Sequence, residues 1–505
     1  QVYDRTNGGV NTFGGKVTVA ANGIFNTTAS TTANTVVFQG GIENSGTFST
    51  NVVTFNTNTQ TVIPNASITF GGNAAINSNV IFENGAGTVT FSGTVTIAND
   101  IIMTNRNQNT NGLLITGILN GSNANSTFYN DNNAFLTYNN ATVPMGTGVF
   151  DVDQTGNTIF YNLNGAQTVK SVNYYNLSVA QNVKTYESVS FTINGNLNIA
   201  TGATFQNLNG GSYANTLTIN GQLINAGTFR AYQSNLRYFD VIFNASGNVI
   251  SGNGTFNFRN VTFNNPLAKN STATGSLFLW YGTASNLIQL RNIGGELTFT
   301  AGTVYILGNS TDTIGYPGNG KITFYNLQVG NGGAQNVYAS LGTEVEVTNN
   351  ITFNMSATSY LNLNGNKLTV NGNFIYRTNG LLRGNNASTF ILNGSGNPTS
   401  TIQFDNTTPG TTNVFRNVTI NRNGGTVTFA NAVVADTLKI TNGTLSTASN
   451  VTVNNSYENN ATLNHTGNTF TFNKAGSMTI GGTNTFYNVI LAAGDTVINN
   501  STSTI

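Results

Sequence analysis

A four-residue step recurs along this chain: an aromatic residue, an aromatic residue or arginine, asparagine, then valine or leucine. It reads Tyr174-Tyr175-Asn176-Leu177, Phe258-Arg259-Asn260-Val261, Phe324-Tyr325-Asn326-Leu327, Phe415-Arg416-Asn417-Val418 and Phe486-Tyr487-Asn488-Val489. Phe160-Tyr161-Asn162-Leu163 is a further copy, and Tyr238-Phe239-Asp240-Val241 a degenerate one. Other units repeat as well. GGIENSGTF (Gly40 to Phe48) returns as GQLINAGTF (Gly221 to Phe229), and FTINGNLNIATGATF (Phe191 to Phe205) is echoed in VTNNITFNMSATSYL (Val347 to Leu361). Gln60-Thr61-Val62 is matched by Gln167-Thr168-Val169. Repetition of this kind restricts the fold to arrays of similar supersecondary units.

Between these marks, apolar and polar residues alternate, as in GTVTFSGTVTI (Gly87 to Ile97) and LNLNGNKLTV (Leu361 to Val370). Period-two alternation broken by Asn-Gly, Gly-Gly or Gly-Asn describes short strands joined by tight turns. Helical periodicity is absent, and dense Asn and Gly would penalise a helix interior. With 38% hydrophobic and 10% aromatic residues, the chain has apolar surface enough to offset the ordering of a core. It is therefore all-β. The unequal intervals between repeats argue against the near-equal blades of a propeller, and no Pro-rich or charged linker separates sandwich domains. The remaining architecture is a right-handed parallel β-helix (β-solenoid) with irregular rungs of about 20 residues. Residues 1–505 are expected to form one continuous solenoid, with a loop insertion near 270–295.

Only 7% of the residues are charged, 18 Lys+Arg against 17 Asp+Glu, for a net charge of +1. Parallel stacking supplies a reason. Equivalent side chains lie ~4.8 Å apart, where like charges repel, whereas Asn amides and Thr hydroxyls bond along the stack. So neutral a chain lacks the basic stripe that nucleic-acid binding needs. The absence of cysteine removes disulfide scaffolds, thiolate metal sites and cysteine nucleophiles. No window approaches ~18 consecutive apolar residues, so there is no transmembrane segment.

Few residues are candidates for chemistry. Asp151 and Asp153, and Glu344 and Glu346, are carboxylate pairs two apart on strands, sharing a face about 7 Å apart as in an inverting glycosidase. Asp151 and Asp153 are also the sole candidates for a metal. Neither pair has a basic residue nearby in sequence, so no catalytic residue, cofactor or metal site is assigned and the chain is not expected to be an enzyme. His465, in Asn-His-Thr, reads as a turn residue. Leu277 to Tyr281 (LFLWY) holds the only tryptophan, and Trp280 with Tyr281 forms a candidate aromatic contact surface. Arg230, Arg237 and Arg259, and likewise Arg416 and Arg422, are candidates for neighbouring positions on successive rungs, and single charges on solvated corners explain them equally well. Asn-x-Ser/Thr sequons such as Asn65-Ala66-Ser67 and Asn442-Gly443-Thr444 permit glycosylation.

The Asn-x-Gly-Thr-Phe step, the Thr/Val strands, Gln-Thr-Val and Phe-Tyr-Asn-Leu together resemble repeats of large secreted and cell-surface proteins of Bacteroidota. Those proteins are adhesin-like, and many are exported by the type IX secretion system. The resemblance covers most of the chain and implies an extracellular structural or adhesive role, with no catalytic residues to carry over. Such proteins often end in a small sorting domain, whereas this chain stops at Ser501 to Ile505. Gln1 is not an initiator residue, so a mature or excised segment is expected. The residues at the two extremes are strand-compatible, and open solenoid rungs have unpaired backbone groups. The function expected is that of a surface filament or fibre subunit, assembling head-to-tail with itself through Val2, Tyr3, Val497, Ile498 and Ile505. An adhesin or glycan-binding surface module is the alternative, and a polysaccharide lyase or hydrolase on a β-helix the next.

Overall fold

The computed structural model describes residues 9–28, 34–187, 189–207, 215–234, 237–280, 288–307, 311–332, 336–356, 358–377, 379–395, 399–474, 476–492 and 495–499. Their regular elements are β-strands. The chain is an all-β, parallel β-solenoid, divided into two compact units, Gln1–Arg230 and Ala231–Ile505.

In the first unit three short strands make one turn of chain, and each pairs in parallel with its counterpart one turn later. Val52–Phe55, Gln60–Pro64 and Ile68–Phe70 are followed by Ala74–Ile76, Val80–Phe82 and Val89–Phe91, with Val53 beside Ala74, Gln60 beside Val80 and Ile68 beside Val89. From Val53 to Ala74 to Val95 the rung is 21 residues, and from Val95 to Leu119 it is 24. Alternation fills the interior: Val53, Phe55, Ile68 and Phe70 are fully buried while Thr54 and Thr69 face outward. Each such burial contributes roughly 1.5–3 kcal/mol. The phenylalanines form columns, with Phe38 and Phe55 stacked at 5.7 Å, Phe25 and Phe48 at 4.7 Å, and Phe70 and Phe91 at 4.7 Å.

The second unit repeats the plan. Leu277, Val304, Leu327, Ile351 and Phe374 succeed one another in register, and Phe299 stacks on Phe324 at 5.3 Å. Among the described residues, one pair of strands departs from parallel pairing, the antiparallel ribbon of Tyr232–Ser234 with Arg237–Tyr238. Within 270–295 the described residues lie largely in strands, ending Lys269–Ser271, then Ser276–Leu279 and Ile288–Gly294. Residues 281–287, which include Tyr281, lie outside the described residues.

The recurring four-residue step is a corner. In Phe258 to Val261 the first and fourth residues are buried and the middle two are not, a spacing of three that a straight strand cannot give. The chain bends there, so that two core residues meet the interior from adjoining faces. Phe324 and Leu327 are likewise fully buried around a Tyr325 that is 39% exposed. The asparagine ties the bend to neighbouring rungs: Asn176 Nδ2 donates to the Asn157 carbonyl at 3.1 Å, and its Oδ1 accepts from the Asn196 N–H at 2.9 Å. Three copies depart from this pattern: in Phe486 to Val489 the fourth residue is only half-buried. In Phe160 to Leu163 it is Tyr161 that is buried, and in Tyr238 to Val241 the inward residues are Phe239 and Val241, which is simple alternation.

Candidate functional site

Several ionisable residues of this scaffold are paired rung against rung. In the second unit Leu297, Ile322, Val345 and Leu368 are in register, so the residues just before them, Glu296, Lys321, Glu344 and Lys367, form an outward column of alternating sign. Lys367 Nζ lies 2.9 Å from Glu344 Oε1, and Lys321 Nζ lies 2.7 Å from Glu346 Oε2. Hydrogen bonding to Lys321 lowers the Glu346 carboxyl below its usual range, and Lys321 is raised in return. The carboxylates Glu344 and Glu346 are therefore each held by a lysine of an adjoining rung. In the first unit Arg106 is set between Glu83, at 3.1 Å, and Asp131, at 2.9 Å.

Asp151 and Asp153 do come together, across one amide: Gln154 Nε2 donates to Asp151 Oδ1 at 3.0 Å and to Asp153 Oδ1 at 3.2 Å. Among the described residues no group of three or more His, Asp or Glu is placed to hold a metal ion, and no helix is long and apolar enough to cross a membrane.

His465 is a strand residue, not a turn residue. It closes Thr462–His465, is fully buried, and packs edge-on against Phe470 at 5.7 Å. Its Nε2 faces the Ser449 carbonyl at 3.1 Å, and Nδ1 accepts from the Tyr487 N–H at 3.4 Å. This pairing suits the neutral ring, and burial lowers its pKa further.

Trp280 sits in an outer row of aromatic residues that reaches beyond the LFLWY stretch. Tyr232 stacks on Trp280 at 6.0 Å, Phe278 lies 6.1 Å from Trp280, and Phe278 stacks on Tyr305 at 4.6 Å. The indole Nε1 donates to Asn257 Oδ1 at 2.9 Å. Ring faces in this row are turned toward one another, which leaves mainly ring edges for solvent. The arginines differ among themselves. Arg416 is exposed, Arg230 Nη1 donates to Gln206 Oε1 at 3.2 Å, and Arg259 lies over the Tyr238 ring at 3.6 Å. The Arg237 side chain is outside the described residues. Arg422 is no solvated corner: it is 1% exposed, and its guanidinium donates to the carbonyls of Gly372 and Asn393 and to Asn373 Oδ1.

Buried cations are what sequence reasoning missed. Lys184, at 0% exposure, donates to the carbonyls of Leu163, Gly165 and Gln181 at 2.7, 3.1 and 2.6 Å. Lys269 does the same to Asn265 and Ile293 at 2.6 and 2.8 Å. Burial pushes each ammonium down to about 8. Gln167, the register neighbour of Lys184, has the same task, its Nε2 donating to the carbonyls of Tyr138 and Asn140. Gln60 binds those of Phe38 and Asn56. The Gln-Thr-Val unit is thus a corner clamp, and its match to Lys184-Thr185-Tyr186 was the signal available in the sequence.

At the extremes, Val2, Tyr3 and Ile505 lie outside the described residues, as do the side chains of Val497 and Ile498. The first described rung has a recess lined by Phe13, Ile24, Phe25 and Val36, with Val10 and Ile24 exposed by 64% and 58%. In the strand Asn488–Leu491, Ile490 and Leu491 are exposed by 52% and 45%. Comparison with protein-family models, with curated proteins and with solved structures gives no match.

Proposed function

We propose that this β-solenoid is an extracellular structural protein, a surface filament or fibre subunit whose copies join through rung-to-rung contacts. The observation that supports this reading is the apolar exposure at the first and last described rungs. The Phe columns run up to the recess at Phe13 and Phe25, which Ile24 also lines, with Val10 exposed in the same rung, and Ile490 and Leu491 are exposed apolar side chains in the last described rung. Such contact pairs unlike surfaces and propagates without closing. The role proposed is not enzymatic, since Glu344, Glu346, Asp151 and Asp153 are each engaged by neighbouring side chains. The partner is a second copy of the chain. Negative-stain imaging over a concentration series tests the reading. Threads that lengthen with concentration are expected, and uniform single particles at the highest concentration would overturn it.

A second reading, an adhesive surface module that binds glycans, draws on the row Tyr232, Trp280, Phe278 and Tyr305. Trp280 is the only tryptophan, so a glycan seated on this row must change the emission of the whole protein. A flat response across a panel of surface polysaccharides rejects that reading.

A further inference from the structure

The second unit has a side-chain ladder with its own chemistry. Asn371, Asn393, Asn421 and Asn442 occupy one register column on four successive rungs. Their amides point the same way. Asn442 Nδ2 donates to Asn421 Oδ1 at 2.6 Å, Asn421 to Asn393 at 3.3 Å, Asn393 to Asn371 at 3.1 Å, and Asn371 to Glu346 Oε1 at 2.6 Å. The ladder ends on a carboxylate that is itself paired with Lys321, an arrangement in which each bond polarises the next.

Three of these asparagines are followed by glycine, and the packing of the corner requires it. A Cβ on Gly372 would stand 1.3 Å from the Asn349 carbonyl oxygen, one on Gly394 2.4 Å from that of Asn371, and one on Gly443 2.2 Å from that of Arg422. Rungs approach so closely at this corner that no side chain fits. The result is three Asn-Gly steps, the dipeptide in which the following backbone nitrogen is least shielded from the asparagine Cγ.

We propose that Asn442 is a site of spontaneous deamidation, and that the ladder protects Asn371 and Asn393 from the same reaction. The Gly443 backbone nitrogen attacks Cγ of Asn442. A bond forms between them, the Cγ–Nδ2 bond breaks, and ammonia leaves carrying the proton that the glycine nitrogen gives up. Water then opens the cyclic imide to aspartate or isoaspartate, so that one water enters and one ammonia departs. Asn371 and Asn393 are tied on both sides, the nitrogen to the rung before and the oxygen to the amide of the rung after. Asn442 is tied through its nitrogen, is exposed, and receives no amide from a later rung among the described residues. One additional hydrogen bond to break is a difference of up to about tenfold in rate. The consequence also differs between sites. A carboxylate at position 371 would face Glu346, whereas one at 442 loosens only the last link.

This inference stands apart from self-assembly and is tested on the full chain by ageing it in mildly alkaline buffer and mapping aspartate and isoaspartate by peptide. Asn442 is expected to convert several-fold faster than Asn371 and Asn393. Equal rates, or faster conversion at Asn371 or Asn393, would overturn the proposal. Substitution Asn421→Ser removes the amide that donates to Asn393. It should bring Asn393 up toward the rate that Asn442 has in the wild type and leave Asn371 unchanged, and it also frees the Asn442 amide. If it accelerates Asn371 and the first-unit steps Asn111-Gly112 and Asn194-Gly195 equally, general loosening is at work and the protective ladder is refuted.

Discussion

At the scale of single residues, the polar groups inside this protein are corner clamps. Three N–H donors of Lys184 meet three backbone carbonyls, and those carbonyls are left with fewer donors when the ammonium is removed. Lys184→Met should therefore lower stability by about 2–4 kcal/mol in urea unfolding, because unmet buried polar groups cost about 1–3 kcal/mol each and partial relaxation recovers some of it. Lys184→Gln should lose clearly less, since Gln167 fills the equivalent place one rung earlier. If methionine is tolerated as well as glutamine, the clamp is not what holds the corner. His465 permits a pH test. Its folded pKa is lowered from 6.5 by burial, so below pH 6.5 the unfolded chain takes up a proton that the native ring refuses, and stability falls with pH. Unfolding of the wild type and of His465→Gln should diverge on going from pH 7 to pH 5, with the wild type losing more. Parallel curves would place the histidine's titration elsewhere.

At the scale of strands and corners, the backbone approach that defines a rung is the sharpest constraint. Gly372→Ala should cost more than about 3 kcal/mol, the range of strongly disruptive single changes, because its Cβ has no space beside the Asn349 carbonyl. Gly15→Ala, with nothing within 4 Å, should stay within about 0.5 kcal/mol. Thermal unfolding of the two variants makes the comparison. The alternating column Glu296, Lys321, Glu344, Lys367 predicts a second contrast. Lys367→Glu places like charges one rung apart and should destabilise by about 0.5–1 kcal/mol at low salt, an effect that Glu344→Gln in the same chain should relieve, because it removes the like charge without placing a second cation beside Lys321. Strands were legible at this scale because alternation needs only neighbours: Phe55 and Phe91 are inward where the pattern puts them. The corner step was visible as a recurrence, but its meaning was not, since Phe258 and Val261 become a bend only when both are seen to be buried. Partners across rungs were illegible. Rungs of 21 and 24 residues lie side by side, so nothing in the chain indicates that Lys367 reaches Glu344 or that Arg422 turns inward to Gly372. A low charge content suggested that stacking excludes charge. The geometry refines that statement: several of the charges that remain are stacked with opposite sign, and Lys184, Lys269 and Arg422 are buried against carbonyls.

At the scale of the whole molecule, a net charge of +1 in 505 residues leaves almost no self-repulsion to keep copies apart. On the self-assembly proposed above, association would be governed by the apolar surface that the rungs leave exposed. Ile24 and Ile490 are more than half exposed, so an aspartate at either position removes apolar contact with little effect on the interior. Ile24→Asp and Ile490→Asp should each unfold in urea within about 0.5 kcal/mol of the wild type, and each should abolish threads. The mixture is the more demanding experiment. If the contact joins unlike surfaces, each variant retains one intact partner surface. Mixing the two should produce dimers that grow no further, because both outer surfaces of the pair are blocked. Sedimentation of the mixture reads this directly. A contact that pairs like surfaces instead would leave each variant able to dimerise alone, and continued growth of threads in the mixture would place the joint at other residues.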